Sequence, residues 1–373
     1  MAPEALIQAT YRIDAQPDEA ERIARFIAYE QTVELPQAQV TDRRILDDIV
    51  GTVLSLEPAD GGCFHARIAF NAALAAGQLS TLINLVYGNV SMYPGIRLQA
   101  LQLPVSLLAR FEGPRFGVAG LRALLDVHDR PLLATAIKPV GTPVERLAQL
   151  AHDFALGGGD IVKDDQNLVS DDFDAFRFRI EACSNAVQRA NRSTGGNTLY
   201  FPHLAAAHGE LPRYAEFVRG IGLHGALLCP HIIGHDHARD LAARFDLVYM
   251  AHPALSGALT QAGDNGIEFG LALGTLLRLG GADISVFVAP GGRFRFSDAQ
   301  ALSLMQACRE PLGNLAPAWP CPAGGMDYDR IAALCEVYGN DTVLLVGGAL
   351  LGHDTDLARA TRAYLDRIRS AIA

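Results

Sequence analysis

Lysine is nearly absent from this sequence of 373 residues, in which 29 of the 31 basic residues are arginine. The two lysines are Lys138 and Lys163. A lysine amine can lose its proton, form a Schiff base or take up CO₂, whereas an arginine guanidinium stays charged and unreactive. Both lysines lie beside apolar segments typical of buried strands, which favours a chemical role over chance survival on the surface. We therefore expect both lysines to lie in an active site.

The sequence also lacks a basic charge balance, long apolar runs and closely paired cysteines. Its net charge of −10 argues against nucleic-acid binding, because proteins that bind phosphate backbones need a basic surface. No apolar run approaches ~20 residues and the N-terminus has no export signal, so neither membrane spanning nor secretion is expected. Six cysteines without C-x-x-C spacing are typical of reduced, mostly buried thiols. We expect a cytoplasmic protein that binds small or acidic metabolites.

Short apolar segments alternate with amphipathic stretches from about residue 125 onward. The apolar segments are typical of buried strands, and the stretches between them carry apolar residues three and four apart, as helices do. Eight strand and helix pairs in ~250 residues predict a (β/α)₈ TIM barrel over residues 116–373. A doubly wound open sheet is the alternative, but no G-x-G-x-x-G follows the first segment. The eight segments cover residues 131–138, 160–165, 197–204, 225–230, 246–253, 283–290, 315–322 and 341–348.

The first 115 residues follow a different pattern. Three strand-like segments, ATYRIDA, GTVLSLEP and CFHARIAFN, are interleaved with two helical candidates, EAERIARFIAYEQ and LSTLINLVYGN. This mixture predicts a separate and smaller α+β domain of ferredoxin-like type over residues 1–115.

Reactive side chains collect where the predicted barrel strands end, which is where barrel enzymes place their chemistry. Strands one to five each end in, or are followed by, such a residue: Lys138, Lys163 with Asp165, His203, His231 and His252. Side chains of a strand alternate between faces, so Lys163 and Asp165 share one face while Asp164 points to the other. A purely structural ion pair is the alternative for a buried lysine beside a carboxylate. The second lysine on the adjacent strand favours the functional interpretation.

Paired glycines follow the last two predicted strands, Gly324 with Gly325 and Gly347 with Gly348. These are the loops that commonly bind phosphate in such barrels, because bare backbone N–H groups can approach an anion closely. One pair alone would indicate only a turn. Two pairs at this combination of loops predict a phosphate site.

Several segments resemble the large subunit of ribulose-1,5-bisphosphate carboxylase/oxygenase (RuBisCO), namely RPLLATAIKP, GGGDIVKDDQN, GNVSMYPGIRLQALQLP and VGGALLGH. The resemblance covers nearly the whole chain. It implies that Lys163 is carbamylated by CO₂ and holds Mg²⁺ together with Asp165 and Gln166. It also implies that Lys138 handles the proton beside the substrate carbonyl.

The same resemblance implies further site residues. Glu30, in YEQTVELP, and Asn89, in GNV, would reach the active site of a neighbouring subunit, which implies a homodimer with shared active sites. His252 would line the site, and Arg293 would be the counterpart of a loop lysine. One phosphate would be held by Gly324, Gly325, Gly347 and Gly348.

The sequence departs from a true carboxylase at several of these positions. Gln166 replaces a glutamate ligand, Arg293 replaces the loop lysine, and Pro253 and Ser256 replace an arginine and a histidine. Val286 replaces a histidine that helps to hold a second phosphate. These departures are similar to those of RuBisCO-like proteins, which do not fix carbon, and they predict a site that does not hold a bisphosphate.

The predicted function is Mg²⁺-dependent proton abstraction and enolisation of a phosphorylated keto-sugar, with an isomerase, enolase or decarboxylase outcome. Three alternatives stay open at this point. They are a genuine ribulose-bisphosphate carboxylase, a Schiff-base aldolase on the same barrel, and a non-catalytic descendant that binds a metabolite.

Overall fold

The structure is a computed structural model that describes residues 5–261, 263–292 and 296–372. Its strands form one sheet of five strands and one of eight. In chain order the strands are β1 (Leu6–Ile13), β2 (Thr52–Ala59), β3 (Cys63–Asn71), β4 (Ile96–Gln102), β5 (Leu132–Ile137), β6 (Ile161–Asp164), β7 (Leu199–Phe201), β8 (Gly225–Leu228), β9 (Val248–Ala251), β10 (Gly266–Ile267), β11 (Ile284–Val288), β12 (Trp319–Ala323) and β13 (Val343–Leu345).

The helices connect the strands of both sheets. They are α1 (Pro17–Glu30), α2 (Arg43–Asp48), α3 (Leu79–Tyr87), α4 (Val105–Leu108), α5 (Gly117–Leu125), α6 (Val144–Leu156), α7 (Phe173–Thr194), α8 (Leu211–Gly220), α9 (Pro230–Ile233), α10 (His235–Arg244), α11 (Gly257–Thr260), α12 (Leu276–Leu279), α13 (Asp298–Arg309), α14 (Ile331–Tyr338), α15 (Gly348–His353) and α16 (Leu357–Ile372). A π-helical turn, Leu271–Thr275, leads directly into α12.

The N-terminal part folds as an antiparallel sheet with the strand order β4-β1-β3-β2, and α1 and α3 are its crossover helices. This order confirms the predicted ferredoxin-like fold. Alternate side chains of β1 are buried, as expected for a strand with one face against helices. The short strand β10 adds to this sheet by pairing in parallel with β4. The domain boundary at residue 115 stays a prediction.

The eight-stranded sheet is entirely parallel, with the order β7-β6-β5-β13-β12-β11-β9-β8. A bridge between His203 and Leu227 joins the two ends of this series. The ring is therefore closed, which confirms the TIM barrel. All eight predicted strands are present, although the one expected at 315–322 begins only at Trp319. Strands such as β5 are buried on both faces, which explains their continuous apolar runs.

Buried side chains fill the barrel interior below the site. Ile161, Phe201, Met250 and Cys321 belong to one apolar cluster inside the ring of strands. All six cysteines are free and buried, as predicted. In the part of the chain that the structure describes, no helix combines the length and the apolar character needed to cross a membrane.

Candidate active site

A cavity of about 1090 Å³ opens at the C-terminal ends of the barrel strands. It is large enough for a sugar phosphate. Its polar lining includes most of the residues that the sequence analysis assigned to catalysis and metal binding. These are Lys138, Lys163, Asp165, Gln166 and His252.

Lys163 lies on β6 between Ala136 of β5 and Phe201 of β7. Only 2% of the residue is exposed, and its Nζ donates to the Asp164 carbonyl at 2.9 Å. Burial lowers the pKa of the Lys163 amine, while the nearby negative charge of Asp165 opposes this shift. The lowered pKa increases the neutral fraction of the amine, which is the form that reacts with CO₂.

Lys138 follows β5 directly and faces the same cavity. Its Nζ lies 3.9 Å from Asp165 Oδ2, and its side chain is about one-third exposed, at 35%. A Cβ atom added to Gly347 would lie 3.1 Å from this Nζ. The Lys138 amine is thus held between the carboxylate after β6 and the glycine loop after β13.

Asp164 points away from the cavity, as the alternation of β6 predicts. Its carboxylate pairs with Arg179 of α7, accepts a hydrogen bond of 2.6 Å from the Tyr200 hydroxyl, and accepts another from the His203 backbone N–H. Arg179 lies on α7, and the start of this helix is capped by Asp172, whose side chain accepts a hydrogen bond from Ala175 N. This network fixes the end of β6 and therefore the strand position of Lys163.

Two histidines lie beside Lys163 at the top of the barrel interior. Burial, together with the charge of Lys163, lowers the pKa of His252 to about 3. Burial lowers the pKa of His203 to about 4, so both rings are neutral at pH 7. His252 Nδ1 accepts a hydrogen bond from Ala254 N, which places the proton of the neutral ring on Nε2. His203 Nδ1 is buried and has no hydrogen-bond partner within the described residues.

Three loops bring paired glycines to the cavity wall. The predicted pairs after β12 and β13 both line it, and so does a third pair after β11, which is Gly291 with Gly292. A Cβ atom at Gly292 would come within 3.3 Å of Gly325 N, so the loops after β11 and β12 pack backbone against backbone. This wall exposes backbone rather than side chains.

The side of the cavity formed by β9 and β11 is mainly apolar. Val286 is 2% exposed there, and Pro253 and Ser256 also line the cavity. No arginine is among the described residues of its lining. The sequence analysis did not identify further apolar members of this lining, because apolar residues in a barrel are usually core. They include Leu255, Phe269, Leu273, Phe287, Val288 and Phe296.

Several predicted residues do not line this cavity, namely Glu30, Asn89, His203 and His231. Asn89 Nδ2 donates to Glu30 Oε1 at 3.0 Å, but Glu30 lines a separate hollow of about 520 Å³ on the N-terminal domain. Arg293 lies outside the described residues, so its predicted role is not tested.

The fold is a (β/α)₈ barrel that follows a ferredoxin-like domain. Its two lysines and its glycine loops lie at the C-terminal ends of the strands, which is the arrangement of a barrel enzyme. The sequence model for the catalytic domain of the ribulose bisphosphate carboxylase large chain matches residues 117–293. The chain is 37% identical to ribulose bisphosphate carboxylase-like protein 1 of Rhodopseudomonas palustris over 365 residues, which cover 98% of both chains. It therefore belongs to the RuBisCO large-chain family, among the RuBisCO-like proteins.

Other relatives carry names of enzymes. The chain is 36% identical to the 5-methylthioribulose-1-phosphate isomerase of Rhodospirillum rubrum, over 98% of this chain and 96% of the relative. It is 32% identical to the 2,3-diketo-5-methylthiopentyl-1-phosphate enolase of Geobacillus thermodenitrificans, over 82% and 75%. Among solved structures, a Rubisco-like protein from Rhodopseudomonas palustris matches with a TM-score of 0.88 and 36% identity, covering 98% of this chain and 97% of that one.

Proposed function

We propose that this RuBisCO-like enzyme abstracts the proton next to the ketone of a phosphorylated keto-sugar, and that it does not fix CO₂ productively. One observation carries the proposal. Lys138 and Lys163, the only lysines of the chain, face a single cavity whose walls are glycine loops on one side and apolar side chains on another.

The residues around Lys163 fit a Mg²⁺ site. Its amine, with a pKa lowered by burial, faces the cavity together with the carboxylate of Asp165 and the amide of Gln166. Once Lys163 is carbamylated, all three would offer oxygen, the donor that Mg²⁺ prefers. Gln166 contributes no charge, so this donor set carries one negative charge fewer than a carboxylase site. When bound, the ion would polarise the ketone oxygen of the substrate.

Lys138 would move the proton. Its amine lies beside Asp165 and Gly347 at the cavity wall, and in a bound substrate it would face the carbon next to the ketone. His252 is neutral, and its Nε2–H would donate to a substrate oxygen.

The phosphate of the substrate would lie against the glycine loops. Gly324, Gly325, Gly347 and Gly348 would supply backbone N–H groups without side chains in the way. Among the residues that the structure describes, the apolar side near Val286 has no arginine or lysine to pair with a second phosphate. It suits an apolar substituent, such as the methylthio group in the names of the isomerase and enolase relatives. We therefore assign a keto-sugar monophosphate with an apolar end.

The active site would be completed by a second copy of the chain. Asn89 and Glu30 already form a hydrogen-bonded pair on the N-terminal domain, away from the cavity of their own subunit. In a homodimer with shared active sites, this pair would cover the barrel mouth of the partner. None of the six cysteines forms a disulfide, which suits action in the cytoplasm.

Turnover assays test the proposal. The enzyme, with Mg²⁺ and bicarbonate, is incubated with 5-methylthioribulose 1-phosphate and with 2,3-diketo-5-methylthiopentyl 1-phosphate, and the products are followed by NMR. We expect an isomer or an enol from at least one of them. Labelled CO₂ fixed onto ribulose bisphosphate would instead support a carboxylase, and borohydride trapping of the substrate on a lysine would support an aldolase.

A further inference from the structure

Arg330 connects two of the three glycine loops. It ends the 3₁₀ turn Tyr328–Arg330, which follows the loop after β12. Its Nη1 donates to the Gly325 carbonyl at 2.6 Å, and its Nη2 donates to the Pro290 carbonyl at 3.0 Å. One guanidinium therefore joins the loop after β12 to the loop after β11.

The two loops have glycine where the guanidinium approaches them. A Cβ atom at Gly291 would lie 2.9 Å from Arg330 Nη1, and one at Gly325 would lie 3.0 Å from the same atom. Both glycines also have positive φ angles, +81° and +62°. The fit of Arg330 between the loops thus depends on the absence of side chains at these positions.

The carbonyls that Arg330 holds determine the direction of neighbouring N–H groups. In a trans peptide the C=O and the following N–H point in opposite directions. Fixing the carbonyls of Pro290 and Gly325 therefore fixes the N–H groups of Gly291 and Met326, and both of these residues line the cavity. The guanidinium acts on the cavity wall without entering the cavity.

Arg330 carries its charge in a turn that also contains Asp327 and Asp329, and Asp327 lines the cavity. Over the residues that the structure describes, no carboxylate forms an ion pair with it, and its fork contacts carbonyl oxygens only. A positive charge behind an anion site strengthens anion binding. The same turn also packs on α15, the helix that follows the third loop, because Tyr328 stacks on His353 with ring centroids 4.5 Å apart.

We infer that Arg330 is a positioning residue that holds the glycine loops after β11 and β12 in the arrangement that binds the phosphate of the substrate. This inference rests on the proposed function and extends it to a residue outside the cavity. In this inference Arg330 takes no part in proton transfer, which is the role proposed for Lys138.

The test compares Arg330→Met and Arg330→Lys with a matched control, Arg369→Met. Arg369 is exposed on α16 and pairs only with Asp366 among the described residues, so the control removes one positive charge far from the glycine loops. For each variant, KM and kcat are measured with the substrate, and Kd is measured for inorganic phosphate.

We expect Arg330→Met to raise both KM and the phosphate Kd about tenfold, because it loses two charge-assisted hydrogen bonds, while kcat stays close to wild type. Arg330→Lys keeps the positive charge but loses the forked guanidinium, so we expect it to raise KM and the phosphate Kd less than Arg330→Met does. Arg369→Met is expected to match the wild type. If Arg330→Met does not fold, Arg330→Lys alone is compared with the wild type, and we expect it to raise KM and the phosphate Kd.

Two outcomes separate the inference from the proposed function. A phosphate Kd and a KM that are unchanged in both Arg330 variants, in an enzyme that turns over, overturn the inference and leave the function intact. Phosphate binding that depends on Arg330, in a protein that never turns over a keto-sugar phosphate, supports the role of Arg330 and contradicts the function.

Discussion

Lys163 combines two properties that rarely occur together in a lysine. It is almost completely buried, and it lies beside a carboxylate that faces a cavity. A buried ammonium is unfavourable unless it is paired, so its pKa falls. Reaction with CO₂ would convert this amine into an anion that a metal ion can neutralise.

Replacing Lys163 with alanine is expected to lower Mg²⁺-dependent turnover at least ~100-fold, because it removes the residue that would become the metal ligand. Turnover is measured with and without Mg²⁺ and bicarbonate, and the melting temperature is measured as a control for folding. A folded Lys163→Ala variant with undiminished turnover would rule out the carbamate role.

Residue chemistry explains which site residues the sequence revealed. Lys138, Lys163 and Asp165 were predictable because they are rare or closely spaced residues at strand ends. Arg330 was not, because it is one of 29 arginines and its partners are backbone carbonyls of two loops. Such contacts carry no pattern in the sequence and exist only after the barrel has closed.

At the scale of elements, the start of α15 sets the position of the Lys138 amine. A methyl group at Gly347 would lie 3.1 Å from Nζ and force the amine to move. Gly347→Ala is therefore expected to lower kcat about tenfold, since small displacements of reacting groups are costly. Gly352→Ala on the same helix is the matched control, because a Cβ there meets nothing within 4 Å. Equal kcat values for the two variants would contradict the assigned position of Lys138.

Helices α9 and α10 carry a pair of histidines that makes the protein sensitive to acid. His231 Nδ1 and His235 Nε2 are 3.2 Å apart, and burial lowers the pKa of His231 to about 4 and lowers that of His235. Below the ordinary histidine pKa of about 6.5, the unfolded chain binds protons that the folded protein excludes. Stability contributed by the neutral pair is therefore lost as the pH falls from about 6.5 towards about 4.

The size of this effect is measurable by chemical denaturation. For His231, the shift to about 4 corresponds to about 1 to 2 kcal/mol of folding free energy lost at pH 5 relative to pH 7. His231→Asn is expected to show a flatter dependence on pH than the wild type. His128→Asn, on an exposed histidine, is expected to keep the wild-type slope. A wild-type slope in His231→Asn would contradict the account.

The strands were largely predictable, and the exceptions have physical causes. The barrel strands are continuous apolar runs between helices, and all eight were found. Strand β10 has only two residues and depends on β4 for its pairing, so it has no periodicity of its own. Strand β4 was not predicted as a strand, and its sequence was given only as part of a segment that resembles the family. The burial of its side chains does alternate over its first three residues.

At the scale of the whole molecule, the N-terminal domain holds polar residues that its own barrel does not use. Glu30 and Asn89 are hydrogen-bonded to each other outside the cavity. Their assignment came from family resemblance, since composition and strand pattern give no reason to choose them. A shared active site in a dimer would explain why this pair is separated from Lys163.

Mixing two inactive variants tests the shared site. Glu30→Gln and Lys163→Ala chains are each expected to be nearly inactive alone. After co-refolding in equal amounts, half of the dimers are mixed and each has one intact site, so about a quarter of the wild-type activity is expected. Sedimentation analysis confirms that dimers are present. Dimers without recovered activity would contradict sharing.

The central claim is that this barrel removes a proton next to a ketone, with Lys138 as the proton carrier. The most direct measurement follows that proton by NMR in D₂O, with the substrate, Mg²⁺ and bicarbonate, in wild type and in Lys138→Met. The account predicts that the wild type replaces or transfers this proton, and that Lys138→Met does so at least ~100-fold more slowly. Undiminished exchange in Lys138→Met, or product that forms while the proton stays in place, would contradict it.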